Sequence, residues 1–303
     1  MVDNDSINIK LKLNLLNKGK INTILPGVQS VGLKRNTIDK YYTSVDVATK
    51  CAELIKQHVT IAQNDMCIEP SAGNGAFIQC IKTLFTAYIF YDLEPEHGEI
   101  KKQDYLSLDT TDIEETYNRI HIVGNPPFGR QSSLAIKFIK KSTKYCDSIS
   151  FILPKSFKKN SLKKFFPLNF HLILEYDIPK NSFLVNGKQH DVPCVFQIWV
   201  KKDIKRTPPV KLIPKHFTFV KKNKDHDISF RRVGVYAGKI DIETENKSTQ
   251  SHYFIKFKDV EVNEELLEKI KNIYFECSDY TVGQKSISKQ ELIKEFNKLF
   301  PKE

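Results

Sequence analysis

The sequence lacks most of the features that would name a chemistry at once. Its six cysteines, at 51, 67, 80, 146, 194 and 277, form no CxxC pair. That excludes a zinc ribbon or a disulfide frame and reads as buried thiols of a reducing compartment. The eight histidines show neither HxxxH nor HxH spacing, so no metal is expected. No apolar run is long enough for a transmembrane helix, and residues 1–20 alternate Lys, Asn and Leu without the apolar core of a signal peptide. The expectation is a cytoplasmic protein with no membrane partner. No internal repeat is present. Acidic residues are in deficit, 36 against 47 basic ones, and the net charge of +11 suits a polyanionic partner while saying nothing of fold.

What is present centres on Asn125-Pro126-Pro127-Phe128. It follows the apolar run 120–124, which reads as a short buried strand, and precedes a helical pattern from Ser132. The tetrapeptide therefore sits on a turn at the carboxyl end of a strand, where open α/β sheets place their chemistry. Two consecutive prolines have fixed φ and no N–H. The loop is stiff, its carbonyls are free to accept, and the Asn125 side-chain oxygen is a second acceptor. Two such acceptors suit a planar amino group: both N–H bonds are held and the lone pair is aimed elsewhere. Phe128 offers a flat face for the ring bearing that group. An ordinary Pro-rich turn is the plain alternative.

Other strand ends carry further signals. Residues 66–69 run into Pro70-Ser71-Ala72-Gly73-Asn74-Gly75-Ala76-Phe77, a strand, a Gly-rich turn and a helix. The third glycine of a dinucleotide fingerprint is replaced by Ile78, and no Gly-Lys-Ser/Thr follows, so a cofactor without phosphates is expected beside Glu69, Gly73 and Gly75. The strand 87–91 ends in Asp92, about 20 residues past the glycines, the usual partner of a ribose diol, with Glu94 in reserve. Asp104, beside Tyr105 and Leu106, pairs a carboxylate with apolar side chains that could hold an adenine ring and its amino group. Tyr42 precedes a helix capped by Thr43 or Ser44, a place suited to a carboxylate.

Strands are also expected at 148–153, 171–176 and 194–200, with Asn181-Ser182-Phe183 on the presumed active edge. Lys155, Lys158, Lys159, Lys163 and Lys164 interleave with Phe157, Phe165 and Phe166 after one of these strands, a pattern suited to a phosphate backbone. A solvated basic helix is the alternative. The Lys- and Pro-rich stretch 201–224 reads as a linker. Beyond it come Arg231 and Arg232, candidate phosphate or base contacts, a strand at 253–257, a helix from Asn263 and a terminal helix with a Ser288/Glu291 capping box.

In chain order these residues resemble the S-adenosylmethionine-dependent amino-methyltransferases, and most of all the adenine-N6 DNA methyltransferases, over residues 38–200. The resemblance implies an α/β, Rossmann-like class I methyltransferase fold. It would have a mostly parallel seven-stranded sheet with helices on both faces, followed by a small α+β C-terminal segment. The expected organisation is an arm over 1–36, the methyltransferase domain over 37–204, and a nucleic-acid-recognition segment over 205–303. The resemblance further implies that Glu69, Pro70, Gly73 and Gly75 hold the methionine part of S-adenosylmethionine with Tyr42 and Thr43. Asp92 would hold the ribose, and Asp104 with Tyr105 the adenine. Asn125 and Pro126, stiffened by Pro127, would hold the target amino group, with Phe128 on the flipped base. DNA is the favoured partner. The alternatives are an RNA adenine-N6 methyltransferase, a protein glutamine methyltransferase, and a catalytically silent nucleic-acid binder.

Overall fold

The computed structural model describes residues 41–185 and 187–300. The arm expected over 1–36 lies outside them. Everything described belongs to one unit, Lys40–Glu303.

Seven strands form the main sheet: β2 (Asp65–Glu69), β3 (Ala87–Asp92), β4 (Lys101–Lys102), β5 (Arg119–Gly124), β6 (Ser148–Pro154), β7 (Phe170–Asp177) and β10 (Cys194–Lys201). Their order is β4-β3-β2-β5-β6-β10-β7, and β10 alone runs antiparallel to its neighbours. This is a Rossmann-like, mostly parallel seven-stranded arrangement, as expected. Every residue of β2 and β6 is buried, which follows from cover on both faces of a parallel sheet. Alternation along each strand divides the apolar residues between two cores. On one face Cys67, Phe90, Val123, Ile152 and Phe196 pack against α1 (Val45–His58) and α2 (Ile78–Leu84). On the other, Ile68, Ile122, Ile149, Phe151 and Leu153 pack against α3 (Ser133–Ser142).

A second sheet was not legible beforehand. In it β1 (Tyr42–Thr43) pairs with β8 (Phe183–Val185), which forms a hairpin with β9 (Lys188–His190). The pairing sets Thr43 opposite Phe183, and Ser44 N–H donates to the Ser182 carbonyl at 3.0 Å.

The C-terminal segment has its own core. Four antiparallel strands, β11 (Phe217–Val220), β12 (Ile228–Arg231), β13 (Ile240–Asp241) and β14 (His252–Phe257), are ordered β11-β14-β12-β13. Phe217, Phe230, Ile255, Leu292 and Phe296 pack this sheet against α4 (Glu264–Lys271) and α5 (Lys289–Phe296). The Ser288/Glu291 capping box is present, and Asn263 caps α4 through Leu266 N–H. The expected linker is shorter than read, because β10 runs to Lys201 and β11 begins at Phe217. It is also fastened. Arg206 donates to the carbonyls of Phe170 at 3.0 Å and Phe166 at 2.8 Å, and its guanidinium lies 5.5 Å from the Trp199 ring centre.

Candidate active site

The carboxyl ends of β2, β3 and β5 meet at one place, and their side chains are tied together there. Gly124 closes β5 with φ of +150°, and a Cβ on it would stand 3.3 Å from Glu69 Cγ on the neighbouring strand. Glycine is needed for the two strand ends to lie this close. The next residue, Asn125, has its amide oriented by two acceptors. Its Nδ2 donates to the Tyr41 carbonyl at 3.1 Å and to Thr43 Oγ1 at 3.2 Å. A backbone carbonyl can only accept, so the nitrogen must face it and the oxygen is turned the other way. Asn125 Oδ1 is buried and has no partner. The Asn125 carbonyl accepts from Ser71 Oγ at 3.1 Å, which joins the two strand-end turns.

The rest of the tetrapeptide is anchored by the helix that follows. The Phe128 carbonyl accepts from Leu134 N–H at 3.1 Å and Ala135 N–H at 3.4 Å, serving donors that the first turn of α3 leaves open. To reach that position the chain passes through Gly129 at φ +67°, Gln131 at +53° and Ser132 at +62°. Each non-glycine residue in that region costs roughly 1–2 kcal/mol. The Phe128 ring is only 8% exposed and packs into the α1–α2 core. The stacking platform expected for a base is therefore mostly occupied by the protein's own core.

The glycine turn is held as firmly. Ala72 N–H donates to the Tyr91 carbonyl at 2.8 Å, and Gly73 N–H donates to Asp92 Oδ2 at 2.8 Å. Asp92 Oδ1 accepts from Glu94 N–H at 2.8 Å. Gly73 and Gly75 adopt φ of +53° and +85°. A Cβ on Gly73 would meet the Tyr42 ring at 3.1 Å, so that ring lies over the turn, with its hydroxyl bonded to Glu96. Behind the turn, Pro70 is buried and Glu69 is only 2% exposed, with Oε2 left without a partner. Burial, with the Asp92 charge nearby, pushes the Glu69 carboxyl up to about 8.

The structure thus brings Tyr42, Thr43, Glu69, Pro70, Gly73, Gly75, Asp92 and Asn125 together, and gives several of them a structural duty besides. Asp92 fastens the turn. Thr43 orients Asn125. Asp104 Oδ1 caps a short turn by accepting from Leu106 N–H at 2.9 Å. Tyr105 points into the core, where its hydroxyl bonds to Ser142 at 2.7 Å and to Tyr145 and its ring lies 5.2 Å from that of Phe138. The expected role beside an adenine ring does not match that placement: the apolar environment beside Asp104 drew this ring inward. Ser71 and Glu96 were not anticipated. Ser71 stood inside the turn motif and could have been read, whereas nothing local marked Glu96.

The expected basic surface is largely spent inside the fold. Lys158 pairs with Asp177 at 3.0 Å and lies 5.0 Å from the Tyr280 ring centre. Lys163 pairs with Glu175 at 2.9 Å. The Lys159 side chain is 9% exposed and reaches the Ser286 carbonyl at 2.7 Å and Glu291 at 3.6 Å, clamping the C-terminal segment to the end of β6. Phe157 and Phe166 are core residues, and Phe166 stacks on Trp199 at 4.0 Å. Lys155 lies in the same turn, half-buried, its N–H donating to the Pro193 carbonyl at 2.9 Å. Arg231 donates to the Val233 carbonyl at 3.2 Å and Arg232 to that of Gln250 at 2.9 Å. For Lys158, Lys159 and Lys163 the reason is shared: β7 and the C-terminal segment supply carboxylates and a carbonyl that a linear reading could not place beside these cations.

Among the described residues no group of His, Cys, Asp and Glu could hold a metal ion, and no helix is long and apolar enough to cross a membrane. The sequence matches no protein-family model and no curated protein. Several solved structures are similar in part. A candidate RNA methyltransferase from Pyrococcus horikoshii is 17% identical, over 54% of this chain and 87% of that one, with a TM-score of 0.39. A candidate class I S-adenosylmethionine-dependent methyltransferase from Listeria monocytogenes is 16% identical over 69% and 71%, with a TM-score of 0.41. A type I restriction-modification methyltransferase subunit from Streptococcus thermophilus is 15% identical over 54% and 45%, with a TM-score of 0.40.

Proposed function

We propose that this protein is an S-adenosylmethionine-dependent methyltransferase acting on the N6 amino group of adenine in nucleic acid, with DNA as the favoured substrate. One observation carries the reading: the buried, unpartnered Asn125 Oδ1 at the end of β5, its amide locked from behind by Tyr41 and Thr43. An unsatisfied buried acceptor costs about 1–3 kcal/mol, and a donor from a substrate removes that cost.

The residues present fit the cofactor. Glu69 Oε2 is a second buried acceptor without a partner, suited to an ammonium group, and the Gly73–Gly75 turn brings bare backbone beside it. Asp92 keeps lone pairs for a ribose diol after accepting its two N–H bonds. When bound, the cofactor supplies an electrophilic methyl group on sulfur. The chain supplies orientation. Asn125 Oδ1 and the Pro126 carbonyl accept the two N–H bonds of the target amine. That favours a more tetrahedral nitrogen, whose lone pair then lies away from both acceptors. With Glu69, Asp92 and the Gly73–Gly75 turn holding the cofactor, Asn125 Oδ1 and the Pro126 carbonyl would keep the amine nitrogen in line with that methyl group and leave the proton it sheds free to pass to water. No enzyme nucleophile is needed. Positioning of this kind supplies up to ~7–11 kcal/mol of the barrier. A base within a duplex cannot reach the site, so the target is flipped or single-stranded.

The test is transfer of a radioactive methyl group to DNA, RNA and protein in parallel, with wild type and Asn125→Ala. Label should enter DNA adenine and fall roughly 10²–10³-fold in the variant, by analogy with loss of one oxyanion-hole donor. Cofactor affinity should hold. Undiminished transfer by the variant would sink the assignment, and label confined to RNA or protein would move it to that substrate.

A further inference from the structure

The C-terminal sheet carries a groove of about 660 Å³ that the site does not use. Its floor is aromatic: Phe219 on β11 and Tyr253 on β14 stand edge to face at 5.5 Å. Its rim is cationic. Lys289 Nζ, at the start of α5, lies 4.5 Å from the Phe219 ring centre and 5.7 Å from that of Tyr253. The Arg232 guanidinium lies 5.5 Å from the Tyr253 ring. Lys221 and Lys222 complete the rim, with Lys221 and Lys289 exposed. Among the described residues that line it there is no Asp or Glu.

We infer that this groove docks a single-stranded segment of the nucleic-acid substrate, phosphates on Lys221 and Lys289 and a base against Phe219 and Tyr253. The inference rests on the nucleic-acid reading proposed above. Charge decides the class of partner, since a rim of cations with no acid selects a polyanion. The aromatic floor decides the form, because rings that pair with cations in the empty groove offer the same faces to bases, and stacking is open only to unpaired ones. Lysine has a flexible stem, so Lys289 can leave the rings for a phosphate without moving the backbone. The position agrees. Ser286 and Glu291, on either side of Lys289 in the chain, are the residues that Lys159 holds at the carboxyl end of β6. That strand is the direct neighbour of β5, which ends at Gly124, the residue before Asn125. The groove is thus tethered on the edge of the sheet where the site opens.

The experiment measures fluorescence anisotropy of short labelled adenine-containing DNA and RNA strands, and of the DNA duplex, across a salt series. It uses the full chain, the double variant Lys221→Glu/Lys289→Glu, and Tyr253→Leu. The double variant should bind the single strands at least tenfold more weakly, and its logarithmic salt slope should be shallower by about 1.4, two phosphates at ~0.7 each. Tyr253→Leu should lose about tenfold with its slope unchanged. All should bind S-adenosylmethionine and melt as wild type does. Should Tyr253→Leu fail to fold, the double variant, altered only at exposed positions, decides. If the variants bind like wild type, the groove is no docking surface and the nucleic-acid reading survives. Tighter binding of duplex than of single strands, insensitive to Tyr253, overturns the single-strand assignment. If wild type binds no nucleic acid and labels only protein, the groove and the proposed function fall together.

Discussion

Strands β2 and β5 lie side by side, and their two ends treat polar groups in opposite ways. At the amino edge, Asp65 accepts from Ala62 N–H at 2.7 Å, lies 2.9 Å from the Arg119 guanidinium and 3.1 Å from His121 Nε2, and the other His121 nitrogen bonds to Ser148 at 2.7 Å. Burial alone would raise the Asp65 carboxyl, but these partners outweigh it and hold it below the usual range. Burial pushes His121 below its ordinary range despite the carboxylate. Four residues further along β2, at the carboxyl edge, Glu69 has an oxygen with no partner and its carboxyl rises to about 8. Asn125, at the same end of β5, has an orphaned oxygen too. A polar network whose groups answer one another stabilises a fold. One left open, at a comparable desolvation cost, points outward to something the chain does not itself contain.

The comparison can be broken most forcefully at the closed end. Asp65→Ala takes the acceptor from Ala62 N–H, Arg119 and His121, and should destabilise the protein by roughly 3 kcal/mol at neutral pH in urea unfolding. The sign follows from the depressed folded pKa. This stabilisation is present above the unfolded value near 4 and disappears as pH falls through the folded one, so wild type and variant should converge in acid. Equal stability of the two at neutral pH would mean that the closed network is no support.

At the open end the expected change has the other sign. A carboxyl raised to about 8 in the folded protein opposes folding increasingly as pH climbs from the unfolded value near 4.5 to about 8. Glu69→Gln removes that opposition. Without cofactor, the variant should match wild type below the unfolded value and exceed it by on the order of a few kcal/mol above pH ~8. A constant difference across the range would place Glu69 with Asp65 as a structural carboxylate.

The smallest expected effect sharpens the comparison at a mixed position, Asp92, which both fastens the turn and is proposed to hold the ribose. Asp92→Ala should weaken S-adenosylmethionine binding by about 1–3 kcal/mol in calorimetric titration. Because Gly73 and Glu94 also lose an acceptor, amide exchange in the glycine turn should speed up. Faster exchange with unchanged affinity would assign Asp92 wholly to the turn.

Much of this was legible in local pattern. Mostly apolar runs announced β2, β5, β6 and β10 because two-sided burial leaves few polar positions on such a strand. The Ser288/Glu291 capping box could be read because all its partners lie within one turn. Asn125 stood out because proline and asparagine state their backbone chemistry wherever they occur. For Phe128, Tyr105 and Lys159 the local pattern omits the tertiary partners, for one reason. A ring or a cation in isolation looks available, and whether it is depends on groups far along the chain: the α1–α2 core, Ser142 and Tyr145, Ser286 and Glu291.

The sequence by itself determined the succession of strands and turns, and with it the residues that stand at strand ends, since both follow from short-range periodicity and backbone restriction. Only the tertiary structure decided that β1 joins a hairpin 140 residues away in sequence, as Tyr42 pairs with Leu184 (about that separation, set by loop closure and not by local propensity). Only it decided that the Tyr41 carbonyl and Thr43 hold the Asn125 amide nitrogen, leaving its oxygen buried without a partner. Hydrogen-bond satisfaction is a property of atoms brought together by folding, and a linear pattern does not contain it.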